Sequence, residues 1–349
     1  MKNVIKNPKT SRTSQTQNAL PLNNLILNGL IREHVPLDDK NWFQTGGDAR
    51  FFCEPSTLEE YVSVLAWAKE KAVSWVVIGQ GANMLISDAG FDGLVIRPIA
   101  RPITISQISQ VPQEVYINNH VFVTASSGVT MSDLIEWCLD NGIRGLEEFS
   151  GIPGTIGGSV YINLHYFEFL LAQFVASARV LCCDTGIMHE VTPEWFNFGY
   201  NQSRLLEGKH ILIDATFKLI PANPLEVSYA RGRRVEIIRH RIRRYPSERT
   251  CGSFFRNFHA DEVDLIVNGK KMIYAAYYLD TAGVRGSVSS GGAAVSFQHA
   301  NMIVNTGDAI TADIITVART MQERVRERFG IILQPECRLI GFSKYPLLI

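Results

Sequence analysis

The sequence predicts an α+β protein of two or three domains. Three observations carry that reading. The chain has 349 residues with 46% apolar composition, enough for more than one core; short strands and helices alternate loosely over its first two thirds; and the composition shifts at Pro221-Ala-Asn-Pro224.

Taken in order, Phe51 to Glu54 reads as a short strand. Ser56-Thr-Leu-Glu59 has the form of a capping box opening a helix to about Lys71. Trp75 to Ile78 is a buried strand, followed by Gly79-Gln80-Gly81-Ala82-Asn83, a turn around Ser87-Asp88-Ala89-Gly90, and a strand at Leu94 to Arg97. The pattern repeats with a strand at Val121 to Ala125, a helix from Thr130 to about Leu139 that Gly142 ends, and a glycine-rich loop from Ser150 to Gly158. Strands at Ala178 to Cys183 and Ile211 to Leu219 close this half, and Pro221 to Pro224 reads as a linker.

Beyond the linker lies an arginine-rich helix, about Gly232 to Arg244, with Val235, Ile238 and Ile242 as its apolar face. A glycine-containing segment follows, Cys251 to Asn305. The helix at about Ala312 to Phe329 is strongly amphipathic, with Ile314, Ala318, Met321, Val325 and Phe329 on one stripe and Gly330 as its stop. A terminal strand is expected over Leu333 to Phe342.

Charge excludes some classes of function. Lys plus Arg and Asp plus Glu number 34 each, so no global field favours nucleic acid or an anionic membrane. The eight arginines between Arg231 and Arg249 lack an aromatic stacking platform and read as a solvated helix, some of them near a diphosphate, rather than a nucleic-acid surface. Six cysteines without Cys-x-x-Cys spacing argue against structural zinc and for reduced thiols in a cytosol; Cys182 and Cys183 read as strand residues. Val160 to Cys183 is the most apolar stretch, but Glu168 and Arg179 interrupt it, so no membrane span is expected. Lys2, Lys6, Lys9 and Arg12 precede any acid and suggest a flexible tail, with an organelle transit peptide as the alternative.

Two glycine loops could hold a ligand. Gly79-Gln80-Gly81 follows a strand, but Met84 stands where a dinucleotide fingerprint needs its third glycine. What remains is a turn whose N–H groups, with the Asn83 and Ser87 side chains, could form an anion nest. The second loop, Ser150-Gly151-Ile152-Pro153-Gly154-Thr-Ile-Gly157-Gly158, lets backbone approach a flat or phosphorylated ligand. Either loop alone is more often a plain tight turn.

The order and spacing of several segments resemble the UDP-N-acetylenolpyruvoylglucosamine reductase family. These are Gln44-Thr-Gly-Gly-Asp-Ala49, Val77 through Asp88, Gly90-Phe-Asp-Gly93, Gly145-Leu-Glu147, Ser150 through Gly158, Gly252-Ser-Phe-Phe255 and Phe329 through Glu336. Each motif is weak alone; the series runs from about Trp42 to Phe342.

The resemblance implies an FAD-binding fold of the vanillyl-alcohol-oxidase type in two subdomains, with a separate α+β domain for the substrate. It divides the chain into a tail (1–28), FAD-binding subdomains (29–100 and 101–222), a substrate-binding domain (223–332) and a returning C-terminal strand (333–349). It implies FAD held by Gly79 to Asn83 and by Ser150 to Pro153, Gly154, Gly157 and Gly158. NADPH would be the co-substrate and the enolpyruvyl ether of UDP-N-acetylglucosamine the small-molecule partner. The enzyme would be a cytoplasmic monomer of peptidoglycan precursor synthesis.

Ser253 matches the family's proton donor to the substrate carbanion and Glu336 its catalytic carboxylate, with Arg338 on the same strand face. Tyr200, Asn257 and His299 match substrate positions. In two places the chain departs from the family pattern. Asn201 stands where the family has a catalytic arginine, with Arg204 three residues on as a replacement or a solvated surface residue. Leu164-His165-Tyr166-Phe167 replaces small residues beside the expected flavin. These departures leave open a flavoprotein on the same fold with another substrate, or a non-catalytic binding protein.

Overall fold

A computed structural model gives the structure of residues 24–105 and 120–349. The expected tail falls outside the described residues up to position 23, together with its transit-peptide alternative.

The first layer is a four-stranded sheet in the order β1 (Ile31–Pro36), β2 (Asp48–Cys53), β5 (Phe91–Ile96), β3 (Trp75–Val77). Helix α1 (Leu58–Glu70) packs Tyr61, Val64, Trp67 and Ala68 into a core shared with Phe51, Leu94 and Ile96. Its cap lies one residue later than the sequence suggested. Thr57 accepts from the Glu60 N–H at 3.2 Å, and Glu60 accepts in return from the N–H groups of Thr57 and Ser56. A strand not expected from sequence, β4 (Met84–Ile86), lies outside this sheet and pairs in parallel with the last strand, β19 (Arg338–Ile340).

The second layer is an antiparallel sheet, β12 (Met188–Val191), β11 (Val175–Cys182), β13 (His210–Pro221), β7 (Val121–Ser126), β6 (Thr104–Ile105), with β8 (Ile143–Arg144) pairing the end of β13. Cys183 lies one residue beyond β11. Helix α2 (Met131–Asp140) is capped by Thr130 and stopped at Gly142, whose φ of 68° is left-handed. The glycine loop ends earlier than expected, because Thr155 caps a short helix, α3 (Ile156–Tyr161), that absorbs Gly157 and Gly158. A small hairpin, β9 (His165–Tyr166) and β10 (Phe169–Leu170), follows.

Pro221 to Pro224 is not a free linker. Pro221 ends β13, Asn223 caps helix α4 (Pro224–Arg244) by accepting from the N–H groups of Leu225 and Glu226, and Pro224 takes the first helical position. The helix therefore starts two turns before Gly232, and its buried residues are Ala230 and Ile237. Val235 and Ile242 are exposed, which corrects the apolar face read from sequence. The reason is electrostatic: Arg231 bonds Glu136 and Asp140, Arg234 pairs with Glu136, and Arg233 pairs with Glu148. These pairs turn the Ala230/Ile237 stripe onto α2 and its neighbours.

The third core gathers α5 (Ala275–Thr281), α6 (Thr311–Phe329) and a small sheet of β16 (Ser289–Ser290), β17 (Ala293–Val295) and β18 (Ile303–Asn305). A hairpin, β14 (Ile266–Val267) and β15 (Lys270–Lys271), lies at its side. On α6, Ile314, Ala318, Met321 and Val325 are buried as the stripe predicts, and Gly330 ends the helix at φ 70°. Phe43 and Leu85 enter this core from the first layer. The expected terminal strand shrinks to Arg338–Ile340, because residues 334–336 are engaged elsewhere and Pro335 has no N–H for a ladder. Among the described residues no helix is long and apolar enough to cross a membrane.

Candidate functional site

A cavity of about 760 Å³ is walled by parts of all three cores, within the range of small-molecule and cofactor sites. The turn between β3 and β4 forms one wall. Gly81 is left-handed there (φ 67°), and a Cβ would stand 2.5 Å from the Lys40 carbonyl, so only glycine fits. Met84 begins a buried strand rather than a helix, so no helix follows the turn. Among the described residues the N–H groups of Gly79 to Asn83 donate to no protein acceptor, which leaves a row of donors at the cavity wall. Ser87 does not join them; its hydroxyl accepts from Ala89 N–H within its own turn.

The second loop meets the first through one bond: the Gly154 N–H donates to Gln80 Oε1 at 2.8 Å. A Cβ on Gly154 would meet no atom within 4 Å, so this backbone presents open space to a ligand. Ile152, Pro153, Gly154, Gly157 and Gly158 line the cavity with Gly79 to Asn83. Ser150 and Gly151 stand behind the wall. Ser150 is buried with its hydroxyl on the Glu147 carbonyl, and the Gly151 carbonyl accepts from Arg241 Nε.

Ser253 and Glu336 come together through main chain. Phe255 and Pro335 form an antiparallel bridge, Glu336 N–H donates to the Phe254 carbonyl at 2.8 Å, and Arg256 N–H to the Gln334 carbonyl at 2.9 Å. Buried Asn301 clamps the turn, its side chain accepting from Phe255 N–H and donating to the Phe255 carbonyl. Both Ser253 and Glu336 then line the cavity, and Arg338 lines it with them. Burial pushes the Glu336 carboxyl up to about 7, against an opposing influence from Asn201.

Asn201 also lines the cavity, on a left-handed backbone (φ 51°) that Asn adopts more easily than most residues. Its amide lies near enough to Glu336 to favour the ionised form, yet both its polar atoms are buried without a hydrogen bond of ordinary geometry. Beside it opens a second cavity of about 500 Å³, which Asn201 and Glu336 share with the first. Tyr200 lines only this second space and meets Asn257, whose Nδ2 donates to the Tyr200 hydroxyl at 3.3 Å. Asn257 Oδ1 accepts from Ala275 N–H. His299 is on the other side, in the large cavity, with burial holding its imidazole below the usual value. Arg204 lines the second cavity, with its guanidinium 5.0 Å above the Trp195 ring.

Four wall residues were not singled out from sequence as ligands. Arg241 projects from α4 into the large cavity between Tyr166 and Tyr245, 5.5 and 5.4 Å from their rings, and makes no ion pair among the described residues. His165 joins them, its ring tilted against Tyr200 with centroids 4.9 Å apart, and burial also holds its imidazole below the usual value. The arginine run carried a signal for this group, but not which of its members turns inward.

Comparison with known proteins adds independent findings. Residues 49–192 match a family described as an FAD binding domain. Residues 244–340 match the UDP-N-acetylenolpyruvoylglucosamine reductase C-terminal domain. The reductase of that name from Caldicellulosiruptor saccharolyticus is 31% identical over 89% of this chain and 92% of its own. The one from Nostoc punctiforme is 34% identical over 89% and 86%. The solved reductase from Thermus caldophilus aligns with a TM-score of 0.66 and 26% identity, over 89% of this chain and 99% of its own.

Proposed function

The chain belongs to the UDP-N-acetylenolpyruvoylglucosamine reductase family, and from that premise we propose that it reduces the enolpyruvyl ether of UDP-N-acetylglucosamine to UDP-N-acetylmuramate, with FAD as cofactor and NADPH as electron source. The observation that carries this reading is the meeting of two things in one cavity. Ser253 and Glu336 sit on paired segments, and the glycine turns present unpaired N–H groups and open backbone to the same space.

The residues present fit FAD. Gly79 to Asn83 would bind its diphosphate, and the open face at Gly154 would admit its ring system. Bound FAD would supply the hydride that adds to the terminal methylene carbon of the enolpyruvyl group, after taking it from NADPH. Hydride addition leaves negative charge beside the substrate carboxylate. The Ser253 hydroxyl would deliver a proton to the carbon that bears the carboxylate, which completes the addition across the double bond. Glu336 would enter protonated, because a second carboxylate next to it raises its proton affinity further, and would donate a hydrogen bond to the substrate carboxylate. Tyr200 and Asn257, bonded to each other at the outer cavity, would orient the nucleotide-sugar, with His299 closing the inner side.

On this reading residues 29–100 and 101–222 are the two FAD-binding subdomains, residues 223–332 bind the substrate, and residues 333–349 are the returning strand. It places the protein in the cytoplasm as a monomer in peptidoglycan precursor synthesis. The test is direct: purified protein with FAD and NADPH should convert the enolpyruvyl sugar to UDP-N-acetylmuramate. FAD-loaded protein that yields none would contradict the reading.

A further inference from the structure

The shared wall between the two cavities has a charge problem. The enolpyruvyl substrate carries a carboxylate, and hydride addition places more negative charge beside it. Glu336 at that point is itself an acid. No cation contributes to its ionisation, which burial opposes and only the Asn201 amide favours. The Asn201 Nδ2 and Oδ1 atoms are buried where the cavities meet, beside Glu336 but without a hydrogen bond of ordinary geometry.

Four arginines line the two spaces, and they differ in commitment: Arg241 is held between the Tyr166 and Tyr245 rings with its Nε on the Gly151 carbonyl. Arg256 is held by both oxygens of Glu262, at 2.7 and 2.6 Å, so its charge is already matched. Arg338 lines only the large cavity and lies 4.9 Å over the Tyr161 ring. Arg204 lines the small cavity together with Asn201 and Glu336, and among the described residues it makes no ion pair; its guanidinium lies 5.0 Å over the Trp195 ring and close enough to His210 to lower that imidazole's proton affinity further than burial alone does. A guanidinium resting on an aromatic face is weakly held, and the Arg stem can cross a cavity of this size.

We propose that Arg204 is the substrate-carboxylate cation of this site: it leaves Trp195 when the enolpyruvyl sugar binds and meets the carboxylate between Asn201 and Glu336. This rests on the proposed function and names a further residue for the same reaction. Asn201 then has a role of its own, donating its amide to the same carboxylate, and its small size leaves the passage open for Arg204.

The test compares two ligands that differ in the carboxylate. UDP-N-acetylmuramate has one and UDP-N-acetylglucosamine does not. Binding of each to FAD-loaded protein is measured by calorimetry for wild type, Arg204→Ala, Arg204→Lys and the double variant Arg204→Ala with Asn201→Arg. The proposal expects Arg204→Ala to weaken UDP-N-acetylmuramate about 10- to 100-fold and to leave UDP-N-acetylglucosamine unchanged. Arg204→Lys should lose less, and the double variant should recover part of the loss from the other side of the passage. Unchanged affinity for UDP-N-acetylmuramate, or equal loss for both ligands, overturns the proposal. Wild-type protein that binds neither sugar overturns the proposed function and this inference with it.

Discussion

The main-chain N–H of Glu336 donates to the carbonyl of Phe254 at 2.8 Å, so the segment carrying the acid is tied to the residue next to Ser253. The two groups proposed for the chemistry are thus placed by backbone, on a turn that buried Asn301 braces from both sides. Placement of this kind survives side-chain substitution, which makes the variants below informative.

Ser253→Ala should slow oxidation of the NADPH-reduced protein by the enolpyruvyl sugar about 100- to 10,000-fold, the usual cost of losing general-acid assistance. Flavin reduction by NADPH should stay nearly intact. Rapid-mixing kinetics of the two half-reactions separate these effects, and equal loss in both would assign Ser253 a structural or cofactor role instead.

Glu336→Gln tests the raised acid through stability. The carboxyl titrates near 7 in the folded protein, against about 4.5 unfolded, so between those pH values the folded state holds a proton that the unfolded state has released. Stability therefore falls as pH rises through that window, by about 3 kcal/mol in total. The Gln variant lacks this loss. Denaturant unfolding of the apoprotein should show Glu336→Gln gaining on wild type from pH 5 to pH 8. A constant difference would contradict the buried-acid assignment.

Gln80→Ala removes the bond that joins the two glycine loops. A hydrogen bond of about 1 kcal/mol corresponds to roughly fivefold weaker FAD binding. Titration of apoprotein with FAD, followed by flavin fluorescence, measures it. Unchanged affinity would mean that the loops hold their positions without this contact.

On α4, Ile237→Ala should destabilise the protein by about 2 to 4 kcal/mol, whereas Val235→Ala should stay within about 0.5 kcal/mol. Thermal unfolding of the two variants distinguishes the observed face from the one that spacing alone suggests.

That contrast shows where the sequence was legible. Strongly periodic elements with clear ends were readable: α6 with its buried Ile314, Ala318, Met321 and Val325 stripe and Gly330 stop, and α2 between Thr130 and Gly142. The face of α4 was not, because ion pairs to Glu136, Asp140 and Glu148 orient it, and those partners lie about ninety residues away in sequence. Strand β4 was hidden for a similar reason: three buried apolar residues fit many conformations until β19 supplies a partner. At the site, the glycine turns stood out because local backbone demands glycine, and Ser253 and Glu336 stood out through the motifs shared with the family. Arg241 did not, since an arginine that turns into a cavity has the same sequence signature as one in water.

The central claim is that the site passes electrons from NADPH to the enolpyruvyl sugar. Stopped-flow absorbance of anaerobic, NADPH-reduced, FAD-loaded protein mixed with that sugar tests it most directly. The account predicts rapid return of the oxidised flavin band with the enolpyruvyl sugar and none with UDP-N-acetylglucosamine. Protein that stays reduced with the enolpyruvyl sugar, yet reoxidises when dioxygen is admitted, would contradict it.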